Sequence, residues 1–465
     1  MESEWQELRL GDVVEFVADN RGKNPKAYAE TGIPVIDNYL ITSDWRININ
    51  DVRRFIDEDT YNSFIRKHIK EDDVLVTLVG NGYGQVGITP SCRCVIIQNT
   101  IGLRCNEEHD NKYLYYLLKL NRPSLMNLNI GAAQPSIKVG NLLDLIFPFP
   151  PLGEQKAIAQ ILAALDDKIE LNRQINSTLE SMAQALFKSW FMDFDPVIDN
   201  ALAAGNPIPD ALQARARARQ EMRSGASTSA QPLPAEIQRL FPSSFVFSEE
   251  MGWVPEAWEV VSLRSLTSKI GSGSTPRGGS QVYVKDGVSL IRSQNVYDSE
   301  FTWDGLAHIN NEAAKQLKGV TLEEGDVLLN ITGASILRTC IVTPDALPAR
   351  VNQHVAIVRP ITGVPSKYLH LHLLNGKTKS YLMGQNAGAS REAVTKGHIE
   401  SVPTLNPGEQ ILFQFEKNVS PFTKSIFGRN SNVMTLTALR DSLLPKLLSG
   451  QLQVPEAEHQ LAEVI

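Results

Sequence analysis

This chain lacks what would mark a membrane protein, a disulfide-stapled protein or a strongly basic one. It has no run of about 18 apolar residues, the length a helix needs to cross a bilayer. Its opening, MESEWQELRL, is too acidic and polar for a secretory signal. Cytoplasm is the expected compartment. Cysteine is scarce, only Cys92, Cys94, Cys105 and Cys340, and no two form a C-x-x-C pair. That favours reduced, mostly buried thiols over a metal site or a disulfide framework. Excess positive charge is absent as well. The 45 Lys and Arg face 52 Asp and Glu, a net charge of −7, which excludes a generally sticky, high-pI binder. By region the balance is less acidic: residues 1–150 carry 16 basic against 20 acidic side chains, and residues 250–405 carry 15 against 14. Screening limits each charge to roughly 8 Å, so a local basic groove is compatible with an acidic whole.

The signatures of catalysis are missing too. Asn375-Gly376-Lys377-Thr378 has the end of a phosphate-binding loop, but the position of its first glycine is Leu371. Gly80-Asn81-Gly82-Tyr83-Gly84 and Gly271-Ser272-Gly273 lack the third glycine and the following helix of a dinucleotide site, and read better as turns. No G-x-S-x-G elbow or H-E-x-x-H pair occurs, and His370 and His372, two apart, fit surface or strand histidines better than ligands. Phe149-Pro150-Pro151-Leu152 lacks the Asn or Asp with which an adenine methyltransferase holds its amino group. No enzyme, cofactor site or metal site is expected in this chain.

What is present is a long internal repeat. Asp73-Val74-Leu75 with Gly80 returns as Asp326-Val327-Leu328 with Gly333, an offset of 253. Trp5 answers to Trp258, Gly32 and Ile36 to Gly287 and Ile291, Gly131-Ala132 to Gly388-Ala389, and Gly153-Glu154-Gln155 to Gly408-Glu409-Gln410, at offsets of 253 to 257. A period this long means two copies of a whole domain with an appended segment, not a solenoid. Within a copy, short apolar runs bounded by Gly, Pro or Asn, such as Ile33–Ile36, Val74–Val79 and Cys94–Leu103, predict strands. Tyr113–Leu120 predicts a helix, giving an α+β domain of mixed strands.

Each copy ends in a long helix. From Glu154 to Trp190, apolar residues at 158, 162, 165 and 169, then at 175, 179, 182 and 186, make a packing seam on a helix of roughly 55 Å. Asn172 and Asn176 near its middle are either a solvated break or a register-setting polar layer. The second helix starts at Gly408-Glu409-Gln410, with stripes through Ile411, Phe415, Val419, Phe422 and Ile426, then Val433, Leu436, Leu439, Leu443 and Leu447. Pro421 and Gly428 predict a bend or break in it. Residues 195–247, rich in Pro, Ala and Ser, predict a linker with one short helix whose Arg215, Arg217, Arg219 and Arg223 suit a solvated face better than a phosphate site. The tail after Pro455 is expected to be disordered.

Several stretches resemble one family. Pro151-Leu152-Gly153-Glu154-Gln155-Lys156-Ala157-Ile158-Ala159, then Ala185-Leu186-Phe187-Lys188-Ser189-Trp190-Phe191 and Asp193-Phe194-Asp195-Pro196, are similar to the central region of the specificity subunit of Type I restriction-modification enzymes. Leu439-Arg440-Asp441-Ser442-Leu443-Leu444-Pro445-Lys446-Leu447-Leu448-Ser449-Gly450-Gln451-Leu452 resembles that family's C-terminal region, and Gly252-Trp253-Val254-Pro255-Glu256-Ala257-Trp258 the start of its second target-recognition domain. The resemblance implies two pseudo-repeated target-recognition domains, 1–150 and 249–406, separated by two long antiparallel helices, 151–192 and 407–450, with a linker at 193–248 and a flexible tail at 451–465. It further implies a non-catalytic DNA-binding subunit in which each domain reads one half of a bipartite, asymmetric target. The helices would set the gap and dock two modification subunits. S-adenosylmethionine, ATP and Mg would belong to modification and restriction partners. The rival expectation is a duplicated coiled-coil protein scaffold without DNA readout, which the acidic charge favours and the polar loops do not.

Base edges are read by Arg on guanine and by Asn or Gln on adenine, with Lys, Arg, Ser and Thr on phosphates. Candidates on loops of the first copy are Lys23, Lys26, Asn38, Asn81, Tyr83, Gln85 and Gln134. In the second they are Ser274, Thr275, Arg277, Arg292, Gln294, Asn295 and Arg391. Taken singly, each fits an ordinary solvated loop residue better. Gly80/Gly333 and Gly131/Gly388 are expected to hold turns, whereas differing polar residues such as Asn38 against Ser293 are where two half-sites could be encoded.

Overall fold

The computed structural model describes residues 5–22, 24–42, 45–80, 82–130, 134–222, 233–385 and 393–462. The chain divides into two compact units, residues 1–173 with 432–465, and residues 174–431. Each unit therefore contains one strand-rich domain and a stretch of each long helix.

The first unit is organised around Val74–Thr77, four consecutive buried residues at the centre of an antiparallel sheet. Its neighbours are Thr100–Cys105, flanked in turn by Val14–Asp19, and Val86–Ile88. Side chains alternate across a strand, so Val74 and Val76 enter one core while Leu75 enters another with Ile36, Ile41 and Ile96. A strand covered on both faces reads as an unbroken apolar run. In a second small sheet, Ile33–Ile36 pairs antiparallel with Phe55–Ile56 and parallel with Val95–Ile96.

The second unit repeats the plan of both sheets and adds a fourth strand, Tyr283–Val284, to the smaller one. Thr267–Ser272, Val355–Pro360, Val327–Asn330 and Thr339–Ile341 form the large sheet in the same order, and Val288–Ile291 pairs antiparallel with Ala307–Ile309 and parallel with Ala349–Val351. Even the bulge recurs, between Val14 and Phe16 and between Thr267 and Lys269. Gly32 and Gly287 sit where a Cβ would lie 2.6 Å from Ile56 O and 2.4 Å from Ile309 O, a close approach that only glycine permits.

Buried polar groups are repeated as well. Asp73 accepts from Arg104 Nε and Nη2 at 2.8 and 2.7 Å, and Asp326 accepts from Arg359 Nε and Nη2 at 2.7 and 2.9 Å. Each carboxylate also caps the turn before it, through Lys70 N and Glu323 N, both at 2.8 Å. The hydroxyl of Tyr113 donates to Pro148 O, and that of Tyr368 to Leu405 O. Both carbonyls belong to the strand that leads into the long helix.

In the first unit the helix Leu152–Phe191 presents Ile158, Leu162, Leu165 and Ile169 to Leu436, Leu443 and Leu447 of the helix Glu409–Leu448, antiparallel. Asp166 accepts from Tyr116 Oη at 2.8 Å and Arg440 Nη1 at 2.6 Å, and Trp45 Nε1 donates to Asp167. In the second unit Ala183, Phe187 and Trp190 meet Ile411, Phe415 and Val419. Met182 is exposed, a correction to the expected seam: beyond Leu179 the buried stripe advances in steps of four to Ala183 and Phe187. Asn176 donates to Asn430 at 2.8 Å, a polar pair across the helices, and Asn172 is buried.

Three further expectations are corrected. The helix Glu409–Leu448 is unbroken through Pro421 and Gly428. Pro421 lies exposed, with Phe415 and Val419 before it and Phe422 after it packed on the unit's core, so burial on both sides carries the backbone past the missing N–H. The tail contains a helix, Val454–Ala462, whose Ala457 is fully buried and whose Leu461 packs on the first unit's core. The segment expected as a linker carries the helices Asp195–Ala204 and Gln213–Glu221, and Phe241 from it stacks edge-on against Trp190. Arg215 and Arg219 grip Asp195 and Asp199 of the preceding helix, so neither is offered to a phosphate. Arg223 lies outside the described residues.

Candidate nucleic-acid interface

The candidate surface in each unit is the hairpin after the central strand, with the loops that abut it. In the first unit Thr77 N donates to Gln85 O at 2.9 Å and Gly84 N to Thr77 O at 2.8 Å, closing a loop whose turns need positive φ at Gly80 (+93°) and Gly84 (+75°). Asn38 borders this loop: its Nδ2 is 3.9 Å from a Cβ built on Gly80. Gln85 is half-buried, and its Cγ is 4.0 Å from a Cβ built on Gly82, as is Asn38 O. Three candidates thus converge, since Tyr83 stands on the same loop, with its ring packed partly on the core. Lys26 and Gln134 are exposed, each on its own loop. Lys23 and Asn81 lie outside the described residues, as do Gly131 and Gly388.

In the second unit a cleft of about 410 Å³ is lined by Ser293, Gln294, Tyr297, Arg338, His354 and the 332–335 loop. Asn330 braces it, donating to Ser293 O at 2.9 Å and Ser335 Oγ at 3.2 Å. Thr332 Oγ1 and His354 Nδ1 are 2.7 Å apart. Thr275 donates to Gln353 Oε1, whose amide nitrogen is 3.0 Å from His354 Nε2, so the 274–275 loop joins the rim of the cleft. Gln294 is exposed and donates to Gly305 O at 3.2 Å; Ser274 and Arg277 are exposed. Arg391 lies outside the described residues.

Two candidates make bonds within the unit. Asn295 is fully buried, accepting from Arg292 N and donating to Thr302 O and Asp304 O, so its side chain is out of reach of a base. Arg292 is half-buried and its Nη2 donates to Gly305 O at 2.5 Å. A third group was missed. Arg338 Cζ lies 4.4 Å from the Tyr297 ring centre, and Arg53 Cζ 5.3 Å from that of Tyr39, which shares a cleft of about 440 Å³ with Asn48 and Asn50. Arg338 had a signal in the repeat: it stands 253 residues after Gln85, itself a candidate.

A family model described as Type I restriction modification DNA specificity domain matches residues 2–181. The Type I restriction enzyme HindI specificity subunit of Haemophilus influenzae is 26% identical, over 97% of this chain and 100% of that protein. The chain is similar to the Type I specificity subunits. A second such relative, the MjaIX specificity subunit of Methanocaldococcus jannaschii, is 25% identical over 74% of this chain and 70% of its own length. In fold, the crystal structure of the Type I restriction-modification system S subunit from M. genitalium matches over 96% of both chains with a TM-score of 0.57, at 14% identity. Among the described residues no helix is long and apolar enough to cross a membrane.

Proposed function

We propose that this chain is the non-catalytic, sequence-specific DNA-binding subunit of a cytoplasmic Type I restriction-modification complex. Each unit reads one half of a bipartite, asymmetric target in double-stranded DNA. The long helices set the number of unread base pairs and offer docking faces to two modification subunits. S-adenosylmethionine, ATP and Mg are handled by the modification and restriction partners.

One observation carries this reading. Two units share a backbone plan down to the Asp73–Arg104 and Asp326–Arg359 pairs, yet differ in the polar side chains on the matched hairpin loops. A frame kept constant beneath variable donors and acceptors suits two different half-sites. Mapping adenine methylation in cells that express the chain with its modification partner, against a deletion of the chain, tests it. The expected result is a split motif with a fixed gap that disappears on deletion. An unchanged methylome with an active modification subunit, or equal binding of scrambled DNA by the purified complex at about 150 mM salt, sinks the proposal.

A further inference from the structure

The matched hairpins agree bond for bond. Tyr83 N donates to Gly80 O and Ile336 N to Gly333 O, both at 3.0 Å; Gln85 N donates to Gly82 O and Arg338 N to Ser335 O, both at 3.1 Å. Thr77 N reaches Gln85 O, and Asn330 N reaches Arg338 O, both at 2.9 Å. The residue before each is left-handed, Gly84 at φ +75° and Leu337 at φ +66°. Positions 85 and 338 are therefore the same place in two copies of one loop, each pinned at its own N–H and C=O. What differs is the side chain, glutamine in one and arginine in the other.

Both side chains keep their donors available. Most neighbouring arginines of the second unit are engaged: Arg292 with Gly305 O, Arg350 with Ala314 O and Ala349 O, and Arg359 with Asp326. The Arg338 guanidinium has no hydrogen-bonding or ionic partner among the described residues. Its contact is the Tyr297 ring beneath it, in the wall of the cleft. Stacking on an aromatic face restrains a guanidinium while leaving its planar fork of N–H groups outward. The Gln85 amide likewise has no hydrogen-bond partner among the described residues, and the residue matching Tyr297 is Thr42, so no aromatic stands at that place in the first unit.

We propose that residues 85 and 338 are a matched pair of specificity positions: Arg338 reads a guanine through O6 and N7, and Gln85 reads an adenine through N6 and N7. This rests on each unit reading one half-site. It goes further by naming the residue and the base at which the two half-sites differ. The chemistry follows from hydrogen-bond capacity. A guanidinium has donors only and suits the two acceptors of guanine, whereas a carboxamide matches the donor and acceptor of adenine.

The test uses the full chain in its complex with the modification subunit, comparing the wild type with R338Q, R338K and Q85R by methylation mapping and by selection from DNA randomised in both half-sites. The wild type should show a split motif with guanine at one position of one half-site. R338Q should erode that guanine preference roughly ten- to hundredfold and leave the other half-site intact. R338K, which keeps the charge but not the bidentate fork, should also relax that position. Q85R should alter a single position of the opposite half-site. Uniform loss of binding across sequences in R338K, or an unchanged motif in folded R338Q, overturns the inference. Should R338Q fail to fold, R338K and Q85R decide it. A wild type without a split motif instead brings down the half-site reading itself.

Discussion

The helix that packs on each large sheet is built twice with different interiors. Asn111–Leu120 buries Tyr113, Tyr115 and Tyr116, and Tyr116 stacks on Trp45 at 5.2 Å with the rings 10° apart. Its counterpart, Ser366–Leu374, buries Tyr368, His370 and His372. Tyrosine persists at the one place where its hydroxyl reaches the strand leading into the long helix. Elsewhere the two units fill the same space with different chemistry. His370 Nε2 is 3.1 Å from Thr339 O, and His372 Nε2 is 3.1 Å from Thr404 Oγ1. Beside them Lys367 is paired with Glu180 of the long helix at 2.5 Å. Backbone-anchoring groups are thus common to the copies, while cores and loops have diverged, as expected if geometry is shared and the surface being read is not.

The largest effects should fall where the units agree. Asp73→Ala or Asp326→Ala takes the buried carboxylate from a partly buried arginine, and the cost to its own unit should be about 3–5 kcal/mol for Asp73 and less for Asp326, because Arg359 keeps Glu323 and Thr321 O. Hydrogen exchange followed by mass spectrometry on both units would show it; a larger loss at Asp326 than at Asp73 would contradict this account. The next effect should separate them. Burial pushes His370 down to about 3 and His372 down to about 4. The unfolded chain therefore takes up protons below about pH 6.5 that the folded unit refuses, and stability falls as pH drops from there toward 3 to 4. At pH 5 this amounts to about 2 kcal/mol per histidine. The second unit should lose exchange protection ahead of the first on acidification, and simultaneous loss would contradict the histidine account. Smaller still, Gly84→Ala should cost about 1–2 kcal/mol, because φ is +75° and the new Cβ would sit 3.0 Å from Met126 Cγ. Thermal melting compares it with Leu337→Gly at the matched left-handed position. Asn176→Ala, which unpairs Asn430, should cost about 0.5–1.5 kcal/mol by the same measurement.

The repeat and the α+β plan were legible because they are written in spacing. Val74–Thr77 and Val327–Asn330 announce buried strands by composition, and the apolar stripe of Ile158, Leu162, Leu165 and Ile169 announces one buried helix face. Other features depend on partners remote in sequence. Nothing local tells that Ala457 will be covered, that Asp195 and Asp199 will hold Arg215 and Arg219, or that Pro421 will lie on an exposed face of a helix secured on either side. A shared motif also proved no guarantee of a shared role. Gln155 of Gly-Glu-Gln is buried, donating to Pro150 O and accepting from Asp110 N, whereas Gln410 of the second Gly-Glu-Gln is exposed. At the interface, loop polarity pointed to Gln85 and Gln294 but equally to Asn295, because residue type does not reveal whether a carboxamide is already satisfied. Arg338 was hidden for the opposite reason: an isolated arginine between Leu337 and Thr339 looks like an ordinary strand-edge charge until Tyr297 is placed beneath it.

The second unit is one unbroken stretch, residues 174–431, while the first needs residues 432–465 to complete its core. On the ribosome the order of manufacture is then the reverse of the order of completion. The domain synthesised first must wait for Leu436, Leu443 and Leu447. At ordinary elongation speeds that is a delay on the order of tens of seconds. Throughout it Ile158, Leu162, Leu165 and Ile169 have only part of their covering. A chain lacking residues 432–465 would keep one unit whole and leave the other without part of its apolar covering.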